Sequence, residues 1–140
     1  MGIQGIYRAT NPVLGDGDQT QIRVDSSGRL LTGTASPLST SDLTAARISF
    51  GATGDQTIVT ATAAQATKVY RIRLTVAGAT NISIKDGAAT TLEIIQFPAA
   101  GMLILDFNTR PYWTTTANTA FILNSSAAVQ VEGRVEYLKS

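Results

Sequence analysis

Lys68-Val69-Tyr70-Arg71-Ile72-Arg73-Leu74-Thr75-Val76-Ala77 alternates apolar and polar residues along its length. Tyr70, Ile72, Leu74 and Val76 fall on one face, and Arg71, Arg73 and Thr75 on the other. A period of two is the side-chain period of a β-strand, so one side meets a core and the other meets water or a partner. Arg71 and Arg73 are therefore candidate partner contacts.

The same pattern spreads in both directions. Towards the C-terminus, Gly78-Ala79 turns the chain, and Asn81 to Lys85 alternates again with Ile82 and Ile84 inward. Asp86-Gly87 is a hairpin signal, Thr91 to Phe97 is the returning strand, and Pro98-Ala99-Ala100-Gly101 breaks it. Met102 to Phe107 is apolar on both faces apart from Asp106, which predicts a central strand or one under a subunit contact. Tyr112 to Thr116 and Ala120 to Asn124 follow. Ala128 to Leu138 then sets Val129, Val131, Val135 and Tyr137 against Gln130, Glu132, Arg134 and Glu136. Towards the N-terminus, Gln56 to Thr62 and Ala46 to Phe50 flank a turn at residues 51–55, while Ala63 to Ala66 reads as a loop. About eight short strands at this spacing define an all-β fold, a single antiparallel β-sandwich or jelly roll over residues 45–140.

Residues 1–44 have little capacity to bury a core. Asn11-Pro12 forces an extended or turn conformation, and Gly15-Asp16-Gly17-Asp18 is a turn. Ser26-Ser27-Gly28 joins two short strands into a small β-hairpin over residues 20–33. Residues 34–44 form a Ser/Thr linker that ends an extended N-terminal arm. Ile3, Ile6 and Tyr7 have no local core to enter. With Arg8, Arg23 and Arg29 they are candidate partner contacts, able to add a strand to a neighbour's sheet edge. The equal alternative is that the arm folds back on its own domain.

The totals exclude several chemistries. The 140 residues fit one domain and contain neither cysteine nor histidine. Disulfides, thiolate and imidazole metal sites, and Ser-His-Asp or Cys-His catalysis are therefore out of reach. Eleven Lys and Arg against ten Asp and Glu give a formal charge of +1, and the cations are scattered, so nucleic acid is not an expected partner. No apolar run approaches the roughly 20 residues that span a bilayer, and no secretory signal is visible. The expectation is a chain made in the cytoplasm with no membrane contact.

Candidate sites within the chain have structural readings. Asp16 and Asp18 lack the spacing of a calcium loop, so no metal or cofactor is expected. Glu132 and Glu136 lie four apart on one strand, about 13 Å between Cα atoms, too far for a glycosidase dyad. They are better placed to pair with Arg71 and Arg73 on a neighbouring strand or subunit. Tyr112 and Trp113 could stack on a sugar, but alternation puts one of them in the core.

Two stretches carry a resemblance. They are the arm with Asn11-Pro12, Asp16-Gly17 and Asp25-Ser26-Ser27-Gly28-Arg29-Leu30-Leu31, and residues 76–87 with the later Arg110-Pro111-Tyr112-Trp113-Thr114-Thr115 and Ala127 to Gly133. The chain resembles small virion proteins of tailed bacteriophages, among them capsid decoration (cement) proteins and tail-associated β-sandwich proteins. The resemblance implies a jelly-roll module without catalytic residues, often a homotrimer, that binds the major capsid protein or other virion subunits on the capsid surface. A tail or fibre module that binds a receptor or carbohydrate is the alternative it leaves open.

Overall fold

The computed structural model describes residues 38–140 and, before them, the backbone pairing of two short strands. These are β1 (Arg23–Val24) and β2 (Leu30–Leu31), antiparallel with Arg23 opposite Leu31 and Val24 opposite Leu30. They form the hairpin expected between residues 20 and 33. Ile3, Ile6, Tyr7, Arg8, Arg29 and the Asp16-Gly17-Asp18 turn lie outside the described residues.

The chain divides into two compact units, Met1–Pro37 and Leu38–Ser140. The second opens on a single 3-10 turn, Thr40–Asp42, held by a capping box: Ser39 N–H donates to Asp42 Oδ2 at 2.8 Å and Ser41 N–H to Ser39 Oγ at 3.4 Å. This local bonding recruits the end of the Ser/Thr stretch into the domain, so compact structure begins at Leu38.

Nine strands follow: β3 (Thr44–Phe50), β4 (Gly54–Val59), β5 (Thr67–Val76), β6 (Thr80–Asp86), β7 (Thr90–Phe97), β8 (Gly101–Leu105), β9 (Trp113–Thr114), β10 (Phe121–Ser125) and β11 (Val131–Lys139). They form two antiparallel sheets, β4-β10-β6-β7 and β3-β11-β5-β8, with β9 continuing the β8 side of β5. Leave out the two-residue β9 and number the remaining eight along the chain. The sheets then read 2-7-4-5 and 1-8-3-6, the strand order of a jelly roll built from two Greek keys.

The alternation dictates the core. Ile48, Val69, Ile72, Leu74, Val131 and Val135 project from one sheet, and Val59, Ile82, Ile84, Phe121 and Leu123 from the other, all buried. Each such side chain contributes roughly 1.5–3 kcal/mol by leaving water. The buried polar groups between them are paired: Thr80 and Ser125 hydroxyls meet at 2.8 Å, and Thr67 N–H donates to Thr115 Oγ1 at 2.9 Å. At the Asp86-Gly87 turn, Gly87 takes φ +61°, a left-handed conformation that favours glycine.

One expectation is corrected. The segment from Met102 is not a central strand: β8 ends its sheet and pairs with β5 alone. Leu103 and Leu105 pack against the core, whereas Met102 and Ile104 stand 63% and 50% exposed. Its second apolar face is thus open surface. The strand expected over Tyr112 to Thr116 is shorter: ladder pairing is confined to β9, flanked by single backbone bonds from Tyr112 N–H to Val69 O at 2.7 Å and from Thr115 N–H to Thr67 O at 2.9 Å.

Candidate functional site

The loop between β7 and β8 is only Pro98-Ala99-Ala100, so the chain passes directly from the edge of one sheet to the edge of the other. A Cβ on Gly101 would sit 3.1 Å from the Phe97 ring. The flanks of this edge are apolar. Leu92 and Ile94 are exposed on β7, Met102 and Ile104 on β8, and Tyr112 just before β9. These are all the large exposed hydrophobic residues among those described. Between Thr90 and Leu105 only Glu93 carries a charge. Depletion of charge around exposed aliphatic side chains is the composition of an interface core.

The edge is also defended. Glu93, exposed at the edge, accepts a 2.7 Å hydrogen bond from Trp113 Nε1, tying β7 of one sheet to β9 of the other. The register of β6 and β7 shifts between Ile84 and Lys85, leaving Leu92 as the extra residue. A charge on the edge strand and a bulge both discourage indiscriminate strand addition. What remains is a surface for a partner of matching shape.

The outer face of the five-stranded sheet is ruled into rows by its register. Ser49, Glu132, Thr75 and Met102 lie abreast across β3, β11, β5 and β8. The next row is Arg47, Arg134, Arg73 and Ile104. The third contains Ala45, Glu136 and Arg71, with Asp106 just past the end of β8. Arg71 bridges Glu136 at 3.5 Å and Asp106 at 3.4 Å, Arg134 Nε reaches Glu136 at 3.5 Å, and Arg47 meets Glu132 at 3.2 Å. Glu132 also accepts from Ser49 Oγ at 2.8 Å and from Gln130. The Ser49 and Arg47 bonds, foremost among its contacts, hold its carboxyl below the usual value. A shallow cleft of about 270 Å³ opens between Arg71, Arg73, Arg134 and Glu136.

The expected pairing of Arg71 with Glu136 is therefore present, and Arg73 stands exposed in the arginine row. Tyr112 and Trp113 divide as alternation requires. Trp113 is 8% exposed and packs on Phe121 in the core, with its indole N–H committed to Glu93. Tyr112 is at the surface, its hydroxyl donating to the Asp106 carbonyl at 2.9 Å. Arg23 belongs to the separate hairpin. Sequence reading missed Leu92, Ile94 and Glu93, because their role depends on β7 being an edge, and sheet order is not written in local periodicity.

Two carboxylates elsewhere brace the loops. Asp86 accepts from Thr116 N–H at 2.9 Å, Thr116 Oγ1 at 2.6 Å and the Thr119 hydroxyl. Burial opposes its charge, but these bonds outweigh it and keep the carboxyl below its ordinary value. Asp55 is lowered first by its hydrogen bonds from Lys85, at 2.7 and 2.9 Å, and then by Asn124. Each accepts three hydrogen bonds from neighbouring strands or loops, the arrangement of a structural group.

Comparison with known protein families, with curated proteins and with solved structures finds no match.

Proposed function

We propose that this chain is a structural assembly protein whose jelly roll docks on neighbouring subunits through the apolar edge of β7, β8 and the start of β9. The observation that carries the reading is that every large exposed hydrophobic residue among those described flanks that edge, Leu92 and Ile94 on the outer face of one sheet and Met102 and Ile104 on the outer face of the other, so that a partner would straddle it. The resemblance supplies the setting: a capsid decoration protein on the head of a tailed bacteriophage, bridging major capsid subunits. A module that binds only the assembled shell stabilises it by mass action. Trp113 offers no open ring face for stacking on a sugar, which weighs against the carbohydrate-binding alternative.

The test is the copy number of the chain per major coat subunit in purified particles, measured by quantitative mass spectrometry. Near-stoichiometric copies support shell decoration. A few copies per particle would favour a tail or vertex position. Absence from particles would overturn the virion setting. Ile94→Asp combined with Met102→Asp should abolish particle binding while leaving the fold intact, since both residues are already more than half exposed.

A further inference from the structure

The row pattern on the outer face of the five-stranded sheet has a property that the docking edge does not require. Consider a two-fold axis lying in the plane of that face, running across the strands between the Glu132 row and the Arg134 row. Rotation about it leaves each residue in its own strand column and exchanges the two rows. Arg134 then faces Glu132 of the second copy, and Glu132 faces Arg134. In the β3 column Arg47 faces Ser49, and in the β5 column Arg73 faces Thr75, each a guanidinium against a hydroxyl acceptor. In the β8 column Ile104 faces Met102. Every column is matched: Arg134 with Glu132, Arg47 and Arg73 with hydroxyl acceptors, and Ile104 with Met102. Moving the axis one row along destroys the match, because Arg73 would meet Arg71 and Ile104 would meet Asp106.

We propose that this face is a homotypic interface, and that its occupant is a second copy of this chain related by that axis. Exposure agrees with the pattern. The groups the axis would bring together are the accessible ones: the Arg134 and Glu132 side chains are 64% and 42% exposed, as against the less exposed Arg71 and Glu136 of the third row, which are paired with each other at 3.5 Å. Three arginines lie abreast on adjacent strands; Arg47 and Arg134 each meet a carboxylate of an adjacent row, and among the described residues Arg73 has no ion pair. A facing Glu132 and the Ser49 and Thr75 hydroxyls of a second copy would offset the remaining repulsion. A hollow of about 150 Å³ bordered by Met102, Thr75, Glu132 and Gly133 lies in the columns where the Ile104 and Arg73 side chains of the second copy arrive.

Size and twist are compatible. Four strands about 4.8 Å apart and a nine-residue β11 give a face of roughly 19 by 30 Å, which with side-chain relief approaches the ~800 Å² per partner of a standard interface. Packed sheets cross at about 30°, so the central β11 and β5 columns keep their partners while the outer columns shift. The interface is isologous, so each contact occurs twice.

The experiment is sedimentation equilibrium of the full chain across a concentration series, with charge reversals. The wild type should show a step that doubles its mass and weakens as salt is raised. Arg134→Glu alone and Glu132→Arg alone should each weaken that step about 100-fold or more, since one reversal creates two like-charge contacts per pair. The double variant Arg134→Glu with Glu132→Arg restores opposite charges across the axis and should recover the doubling. Circular dichroism of each variant reports folding separately. Absence of a doubling step in the wild type, indifference to the single reversals, or a folded double variant that stays undoubled would each overturn the proposal. Ile94→Asp should leave the doubling unchanged, so failure here is distinguishable from failure of the docking edge.

Discussion

Replacing Gly133 with alanine should be among the most damaging single substitutions in the domain. Gly133 lies in β11 between Ile48 of β3 and Leu74 of β5, with strands on both sides. A Cβ there would stand 2.0 Å from the Arg73 carbonyl oxygen and 2.8 Å from the Leu74 Cα. Both are backbone atoms of the longest strand, which is itself held by β11, β8 and β9. Relief therefore requires separating two central strands rather than turning a side chain. Overpacking in a core typically costs 1–3 kcal/mol and occasionally more; a clash with the backbone of a neighbouring central strand belongs at the top, about 3 kcal/mol or above. For a domain near 100 residues that lowers Tm by roughly 12–24 °C. Thermal and urea unfolding followed by circular dichroism measures it. Gly78→Ala is the control, since its Cβ would meet only the Val129 side chain, at 3.2 Å, which can yield. A Gly133→Ala loss under about 0.5 kcal/mol, or one no larger than that of Gly78→Ala, would refute the reasoning.

Asp86→Ala should cost about 2 kcal/mol at neutral pH by orphaning Thr116 N–H and two hydroxyls, and denaturant titration reads it. Because the folded carboxyl of Asp86 titrates below its ordinary value of 3.8, its contribution is complete above that pH and fades as pH falls through the lowered value. Stability of the wild type should therefore drop more steeply below pH 4 than that of Asp86→Asn, as measured by urea midpoints at several pH values. Trp113→Phe should cost about 1–2 kcal/mol through loss of the indole bond to Glu93 and of packing on Phe121, again by urea denaturation. Since Trp113 is the sole tryptophan and is buried, wild-type emission should begin blue-shifted and move red on unfolding; an initial red maximum would place the ring in water.

The fold was legible wherever one residue's face decides its neighbour's. Ile72, Leu74 and Val76 occupy the core side of β5, and Ile82 and Ile84 that of β6, as the period-two pattern requires; at Tyr70 the register against β11 shifts, so Val69 takes the core position expected of Tyr70, which is buried against Phe107 instead. Asp86-Gly87 turns as its composition demands. What escaped was sheet order. A strand with two apolar faces can be sandwiched between neighbours or can bare one face at an edge, and β8 does the second. The same ambiguity hid the docking edge, because Ile94 and Met102 look like core residues until their strands are known to be terminal. The arginine row was half legible. Arg71 and Arg73 shared an outward face in one strand, but the alignment of Arg47 and Arg134 beside Arg73 depends on pairings across 87 and 61 residues of sequence.

That long-range pairing shapes how the domain is made. Among the described strands, β3 pairs only with β11, and β4 only with β10. During synthesis both early strands leave the ribosome with nothing to pair with, and they wait while most of the domain is translated. No stable half-domain is available as a stopping point, since β5 too lacks one of its flanking strands until β11 arrives. Closure should then be late, concerted and slow relative to a helical protein of equal length. The exposed strand edges of that waiting chain, rather than those of the finished sandwich, are where misassembly would begin.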